Sequence, residues 1–334
     1  MTVLKRALLA CAAAVLSCAP LPCRLASAQV LTPFQFSLNV NASGSQAGFV
    51  YAKALGLYAK EGLDVTIVEG KGSATTAQLV ASGQFDLAMA DGPTVMQLRA
   101  KGAPLKVLAP VLQANAYGVI SLASTGIANI HDLEGKRLGV DPGTAMAALL
   151  GGIVAHQKLD LSKISVVNLA TPAQVASLLE KRVDAILSGT DFQGVQVADR
   201  APSREILFNT VGVPTIGLAV FGREDKLARN GAAVTAFLKA GFAGWDATRK
   251  NPEAAAQAMH DAFPSVPAGD ILKQLQIDLK LLCLPDSRTM GQVSPAVWAA
   301  NYDVLTTYLG VPTTKPVTDY YSETLLPPGL PSCP

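Results

Sequence analysis

From residue 34 the chain alternates short apolar runs of strand character with longer stretches of helical periodicity, and this alternation restricts the fold more than any other feature. FQFSLNV (34–40) reads as a strand, SQAGFVYAKALGLYAKEG (45–62) as an amphipathic helix stopped by Gly62, and LDVTIVE (63–69) as the next strand. GKGSATTAQLVASG (70–83) opens on Gly and Ser/Thr capping residues and continues as a helix. FDLAMA (85–90) has the unbroken apolar character of a strand covered on both faces. Strand, helix, strand in this order requires right-handed crossovers, so the expectation is an α/β fold with mostly parallel sheets.

A second unit repeats the layout. YGVISLAS (117–124) and ISVVNLA (164–170) read as strands, and residues 129–157 as helix, turn, strand, loop and helix. TPAQVASLLEKRVDAILSGTD (171–191) then parallels the earlier stretch: Thr76-Ala77-Gln78-Leu79 corresponds to Thr171-Pro172-Ala173-Gln174-Val175. Each is followed by an apolar strand and a small polar corner, either from two lobes of like construction or from ordinary α/β grammar. After PTIGLAVFGRE (214–224) the chain reads as helical over 226–249, 252–263, 268–282 and 294–309, with Pro252, Pro267 and Pro295 at helix starts. Helices without a sheet of their own have to cover an existing one, and they are expected to wrap the first lobe.

The N-terminus is different. Lys5 and Arg6 precede ALLACAAAVLSCAPL (7–21), and Ala26-Ser27-Ala28 offers a small-x-small cleavage pattern, so 1–28 reads as an export signal. Pro20 and Pro22 interrupt a run too short to span a bilayer. A lipid anchor at Cys18 is the rival reading, weakened by Leu16 where a small residue belongs. Cys283 and Cys333 are the two cysteines outside this segment, and in an oxidising compartment they most simply form one disulfide; two separate thiols are the alternative. The formal net charge is +2 without a run of Lys or Arg, so no nucleic-acid or membrane footprint is expected.

Catalytic motifs are missing. Lys71 in GKGSATT (70–76) comes too early for a P-loop, and no G-x-G-x-x-G follows a strand. There is no G-x-S-x-G elbow, and His131, His156 and His260 stand apart without carboxylates at ligand spacing. The reading is therefore of a binding protein rather than an enzyme, with no cofactor and no metal. In their place, five Gly/Ser/Thr corners sit at predicted strand ends before helices. They are Asn41-Ala42-Ser43-Gly44-Ser45, Gly70-Lys71-Gly72-Ser73, Ala90-Asp91-Gly92, Asp141-Pro142-Gly143-Thr144 and Ser188-Gly189-Thr190-Asp191. Exposed N–H groups and helix N-termini converge at that edge of a parallel sheet, and ligands bind there. Each corner taken singly is equally a capped βα turn.

Two phrases carry a resemblance: residues 56–92, with AKEGLDV closing the first helix, and IHDLEGKRLGVDPGTAMAALL (130–150), with its Asp-Leu-x-Gly-Lys opening. With SPAVWAANYDVLTTYLGVP (294–312) and PVTDYYSETLLP (316–327), the chain resembles the periplasmic substrate-binding proteins of the nitrate/sulfonate/taurine and NMT1/THI5-like (SsuA-like) group over about residues 35–327. The resemblance implies a type II periplasmic-binding-protein fold, two α/β lobes joined by two hinge strands. Lobe I would comprise 34–115 and 218–334, and lobe II 116–217.

The family's pocket, carried over, falls on Ser43, Gly44, Ser45, Gln46, Ser73, Thr75, Asp91, Gly92 and Thr94 in lobe I. Gly143, Thr144, Ala145, Ser188, Gly189 and Asp191 would face them, and hinge segments near 113–117 and 213–217 would add Tyr117 and Thr215. The implied role is a periplasmic monomer that closes on a small polar molecule and delivers it to an ABC permease. A ligand sensor serving a receptor is one alternative; a pyrimidine-synthesising enzyme is another, but those relatives keep an active-site His and a cysteine-rich stretch that this chain lacks. An anion specialist would place Arg or Lys in the corners. The corners hold Lys71 against Asp91, Asp141 and Asp191, which favours a neutral or amine-bearing ligand such as a pyrimidine-like ring, with Asp141 equally a turn former.

Overall fold

The computed structural model describes residues 30–333 apart from Gly143. The expected export signal (1–28) and the alternative anchor at Cys18 lie outside the described residues.

Five strands form the first sheet: β1 (Thr32–Ser37), β2 (Leu63–Val68), β3 (Leu87–Asp91), β4 (Leu105–Pro110) and, from far along the chain, β10 (Leu218–Arg223). The second sheet holds β5 (Tyr117–Leu122), β6 (Arg137–Val140), β7 (Ser165–Asn168), β8 (Ala185–Gly189) and β9 (Ser203–Leu207). The spatial orders are β2-β1-β3-β10-β4 and β7-β6-β8-β5-β9. β1 runs parallel to β2 and β3, and β6 parallel to β7 and β8. β10 is antiparallel to both its neighbours, and so is β5. Each sheet thus takes its one antiparallel strand directly after the chain crosses from the other.

The crossovers, residues 111–116 and 212–217, lie side by side. Asn115 N donates to Thr215 O at 3.0 Å and Gly217 N to Leu112 O at 2.9 Å. Gly217 is required because a Cβ there would approach Ala114 O to 2.5 Å. Pro214 has no N–H to extend a ladder, so the pairing is local and the backbone between the sheets is irregular.

Aromatic rings fasten the first lobe. Phe237 on the helix Gly231–Lys250 lies 4.7 Å from the Phe36 ring, 5.0 Å from Phe34 and 5.1 Å from Tyr58, all buried. The helix Pro295–Tyr308 departs from the expected wrapping of the first lobe alone. Its Trp298 and Leu305 join Met96 and Val107 in the first lobe's core, while Val304 and Tyr308 pack with Leu149 and Ile153 in the second. Asn301, between them, accepts a hydrogen bond from Ile216 N in the crossover at 3.0 Å. Neighbouring apolar residues on this helix point to two cores, so it spans the back of the hinge. Cys283 and Cys333 are joined, with Cα atoms 5.8 Å apart, and tie the tail to the helical region.

Candidate functional site

Between the sheets lies a cleft of about 710 Å³. Loops 39–45 and 70–73 and the end of β3 form one wall, crossover residues Leu112 and Asn115–Tyr117 the back, and 191–193 the facing wall; Val266 and Gln274 close one side.

The first loop is braced from behind. Gln46 is fully buried; its Oε1 accepts from Ser43 N at 2.8 Å and Ser43 Oγ at 2.9 Å, and its Nε2 donates to Asn39 Oδ1 at 2.7 Å. Gly44 N donates to Gln274 Oε1 at 3.0 Å, and any Cβ at Gly44 would collide with the backbone of Leu275. Ser43 and Ser45 line the cleft, their hydroxyls 3.0 Å apart. In the second loop Gly72, at φ +108°, donates to Asn39 O at 2.8 Å, and the Ser73 hydroxyl accepts from Asp91 N at 3.0 Å.

Asp91 is both a cap and a wall residue. It caps the helix Gly92–Ala100, accepting at Oδ2 from Thr94 N at 3.3 Å and Thr94 Oγ1 at 3.1 Å, while Oδ1 accepts from Asn115 Nδ2 at 2.8 Å. Burial raises its carboxyl above the usual range, with the Asn115 and Thr94 hydrogen bonds pulling the other way. Tyr117 is driven well above its ordinary value by burial and then by Asp91. Opposite, burial pushes Asp191 up to about 6 against the N–H groups of Asp191 and Phe192. Glu205 is raised by burial and by Asp191. Among the described residues lining the cleft, Lys71 is the one cation, and it is exposed at the rim.

Of the residues expected from sequence, Ser43, Ser45, Ser73, Asp91, Tyr117 and Asp191 line the cleft. Gly44, Gln46 and Thr94 hold the wall from behind, and Gly92 packs under Ile216. Thr75 is exposed and away from the cleft; its neighbour Thr76 is the buried one, donating to Leu38 O at 3.3 Å. Ser188 is buried beneath the wall, donating to Gln174 Oε1 at 2.8 Å, and Gly189 backs the Asp191 carboxyl. Thr144 caps the helix Ala145–Gln157, accepting from Ala147 N at 3.3 Å, and does not line the cleft. Gly143 and the side chain of Ala145 lie outside what is described. Thr215 faces a smaller cavity of about 310 Å³ behind the hinge, shared with Asn301 and Val297. Asp141 accepts from Thr171 N at 2.9 Å and Thr171 Oγ1 at 2.8 Å, a turn and capping role.

Sequence reasoning missed Asn39, Asn115, Phe192, Gln193, Val266 and Gln274. Asn39, Phe192 and Gln193 adjoin corners already singled out, so adjacency was the available signal. Val266 and Gln274 come from more than 200 residues beyond the first loop and left no local mark. His131, His156 and His260 do not line the cleft. Among the described residues no group of three His, Cys, Asp or Glu is placed to hold a metal ion.

A family model described as "NMT1/THI5 like" matches residues 44–255. A riboflavin-binding protein of Chloroflexus aurantiacus is 24% identical over 243 residues, covering 69% of this chain and 66% of the relative. A formylaminopyrimidine-binding protein of Halalkalibacterium halodurans is 28% identical over 204 residues, covering 60% and 61%. A 4-amino-5-hydroxymethyl-2-methylpyrimidine phosphate synthase of Uromyces fabae is 24% identical over 228 residues, covering 64% and 66%. The aligned stretches thus span somewhat less than two thirds of these relatives. Among solved structures, the aliphatic sulphonate-binding protein SsuA of Escherichia coli superposes with a TM-score of 0.70 at 19% identity, covering 88% of this chain and 98% of that one. The nitrate-binding protein NrtA of Synechocystis PCC 6803 superposes at 0.61 and 17% identity, covering 88% and 87%. Both neighbours share the two-lobed fold.

Proposed function

Because the chain belongs to the NMT1/THI5-like family, we propose that it is an extracytoplasmic solute-binding protein that captures a small polar molecule between its lobes and hands it to an ABC permease. The fold is that of periplasmic binding proteins. The observation that carries the reading is the cleft itself: about 710 Å³, with walls from both sheets and the two crossovers behind it. That volume suits a small organic solute. A solute touching both walls stabilises the closed arrangement through contacts that the open one lacks. We read 34–115 with 218–334 and 116–217 as the two moving bodies, and 1–28 as the export signal. The names of two relatives point to heteroaromatic solutes, riboflavin and a formylaminopyrimidine.

The synthase relative supports a second reading, pyrimidine synthesis. The first is preferred because the described cleft is lined by hydroxyls, amides and carboxylates, with no His or Cys among them. Thermal stabilisation against a panel of pyrimidines, flavins, sulfonates, nitrate and amines separates the two. A solute at 100 times its Kd should add about 2.7 kcal/mol. Turnover of a compound would favour the enzyme.

A further inference from the structure

The crossovers also border the second cavity, of about 310 Å³, and no described residue lines both it and the cleft. Ala114 comes from one crossover, Pro214, Thr215 and Ile216 from the other, and Val297 and Ala300 from the bridging helix Pro295–Tyr308. Leu284, next to the disulfide, and Asn209, in the turn Phe208–Val211 after β9, join the lining.

Most polar groups around this cavity are already paired. Gln113 Oε1 accepts from Leu284 N and Ser287 Oγ, and its Nε2 donates to Thr289 O at 3.1 Å and Gln292 O at 3.0 Å. Asn301 Oδ1 accepts from Ile216 N, and Ser294 Oγ from Val297 N at 3.3 Å. Two groups are not. Thr215 is 3% exposed, and both Thr215 Oγ1 and Asn209 Oδ1 are buried with no hydrogen-bond partner among the described residues. Buried polar atoms left unpaired are costly, so this lining demands a donor for Asn209 and a partner for Thr215.

We propose that the cavity is a second binding site, separate from the cleft, for a small neutral molecule with an apolar body and one hydroxyl or primary amide. That polar end both donates and accepts, so it answers Asn209 Oδ1 and the Thr215 hydroxyl together. Pro214, Ile216, Leu284, Val297 and Ala300 supply the apolar contact. The volume is at the lower end of small-molecule pockets and exceeds what a single water fills. Asp286, exposed, is the one ionisable side chain among the described lining residues. An anion therefore meets no cation there, and a cation meets only a carboxylate that solvent screens.

The test titrates isotope-labelled protein and follows its amide resonances. Benzyl alcohol is matched with toluene and benzamide with acetophenone, partners that keep the ring and drop the donor; benzoate and benzylamine are the charged probes. Benzyl alcohol or benzamide is expected to shift the amides of 113–114, 215–216, 284–287 and 296–301 saturably. It should bind about fivefold tighter than its donorless partner, the worth of one hydrogen bond. Thr215→Val keeps the shape, removes the hydroxyl and should weaken that probe several-fold. Ala300→Leu fills the cavity and should abolish those shifts; if it fails to fold, Thr215→Val carries the test. Equal binding of the donorless partner, tighter binding of a charged probe, or unchanged affinity in either variant overturns the site. So do shifts confined to 39–45, 70–73 and 191–193, which put the probe in the cleft. No shift from any probe leaves the cavity to water and overturns it as well. All of these outcomes leave solute capture in the cleft standing.

Discussion

The two walls of the cleft are built differently. The first-lobe wall is a closed hydrogen-bond framework: Asn39, Gln46 and Ser43 brace one loop, and Asp91 is held by Asn115 and Thr94. The facing wall is one short turn, where the N–H groups of Asp191 and Phe192 are what offsets the burial of the Asp191 carboxyl, and Phe192 stands 49% exposed. A preorganised wall loses little on binding; a loosely held wall gains contacts when it closes. We infer that the solute settles first on the Ser43–Asp91 wall and that 191–193 closes over it.

The largest expected effect concerns the framed lobe. Replacing Cys283 and Cys333 by Ser removes a cross-link between residues 50 apart in sequence and should cost about 4 kcal/mol in chemical denaturation. Solute affinity should change far less. A stability change under 1 kcal/mol would show that this lobe does not depend on the link.

Next, Asp91→Ala should lose about 2 kcal/mol of stability with its cap and its Asn115 bond, and lose affinity as well. Asp191→Ala should lower affinity with little loss of stability. Equal stability losses in the two variants would erase the contrast between the walls.

The pH dependence sharpens it. Asp191 is raised to about 6 from 3.8, so its contribution to stability is complete below pH 3.8 and disappears as pH rises through 6. Carboxyls lowered by partners, such as Asp184 by Arg137 and Asp319 by Arg99, act in the opposite sense but titrate below 3.8. Between pH 5 and 7 the raised groups dominate, and the melting temperature of the unliganded protein should fall. In Asp191→Asn that slope should flatten. The smallest effect is expected for Lys273→Ala, which removes a half-exposed bridge to Asp199 across the lobes and should leave the denaturation midpoint almost unchanged.

The same contrast explains what sequence could reveal. Ser43, Ser45, Ser73 and Asp91 each belong to a strand–loop–helix unit a few residues long, and short-range pattern marks them. Thr75 and Thr76 show how narrow that signal is: one step around a helix is about 100°, which exchanges an exposed hydroxyl for a buried one. Ser188 reads as a site residue because it is polar in a corner, yet Gln174 satisfies it inside the core. Gln274 comes to the cleft through tertiary packing of a late helix, which periodicity cannot place. The bridging helix Pro295–Tyr308 left no such mark: Val304 and Leu305, adjacent in sequence, fit one apolar stripe, and only the packing divides them between two cores.

Small-angle scattering of the protein, with and without a solute that stabilises it, tests the two-wall closure most directly. The account predicts a smaller radius of gyration with solute bound, and a reduced change in Asp191→Ala at equal occupancy. An unchanged radius at saturation would contradict it, because the second wall would then not move onto the first.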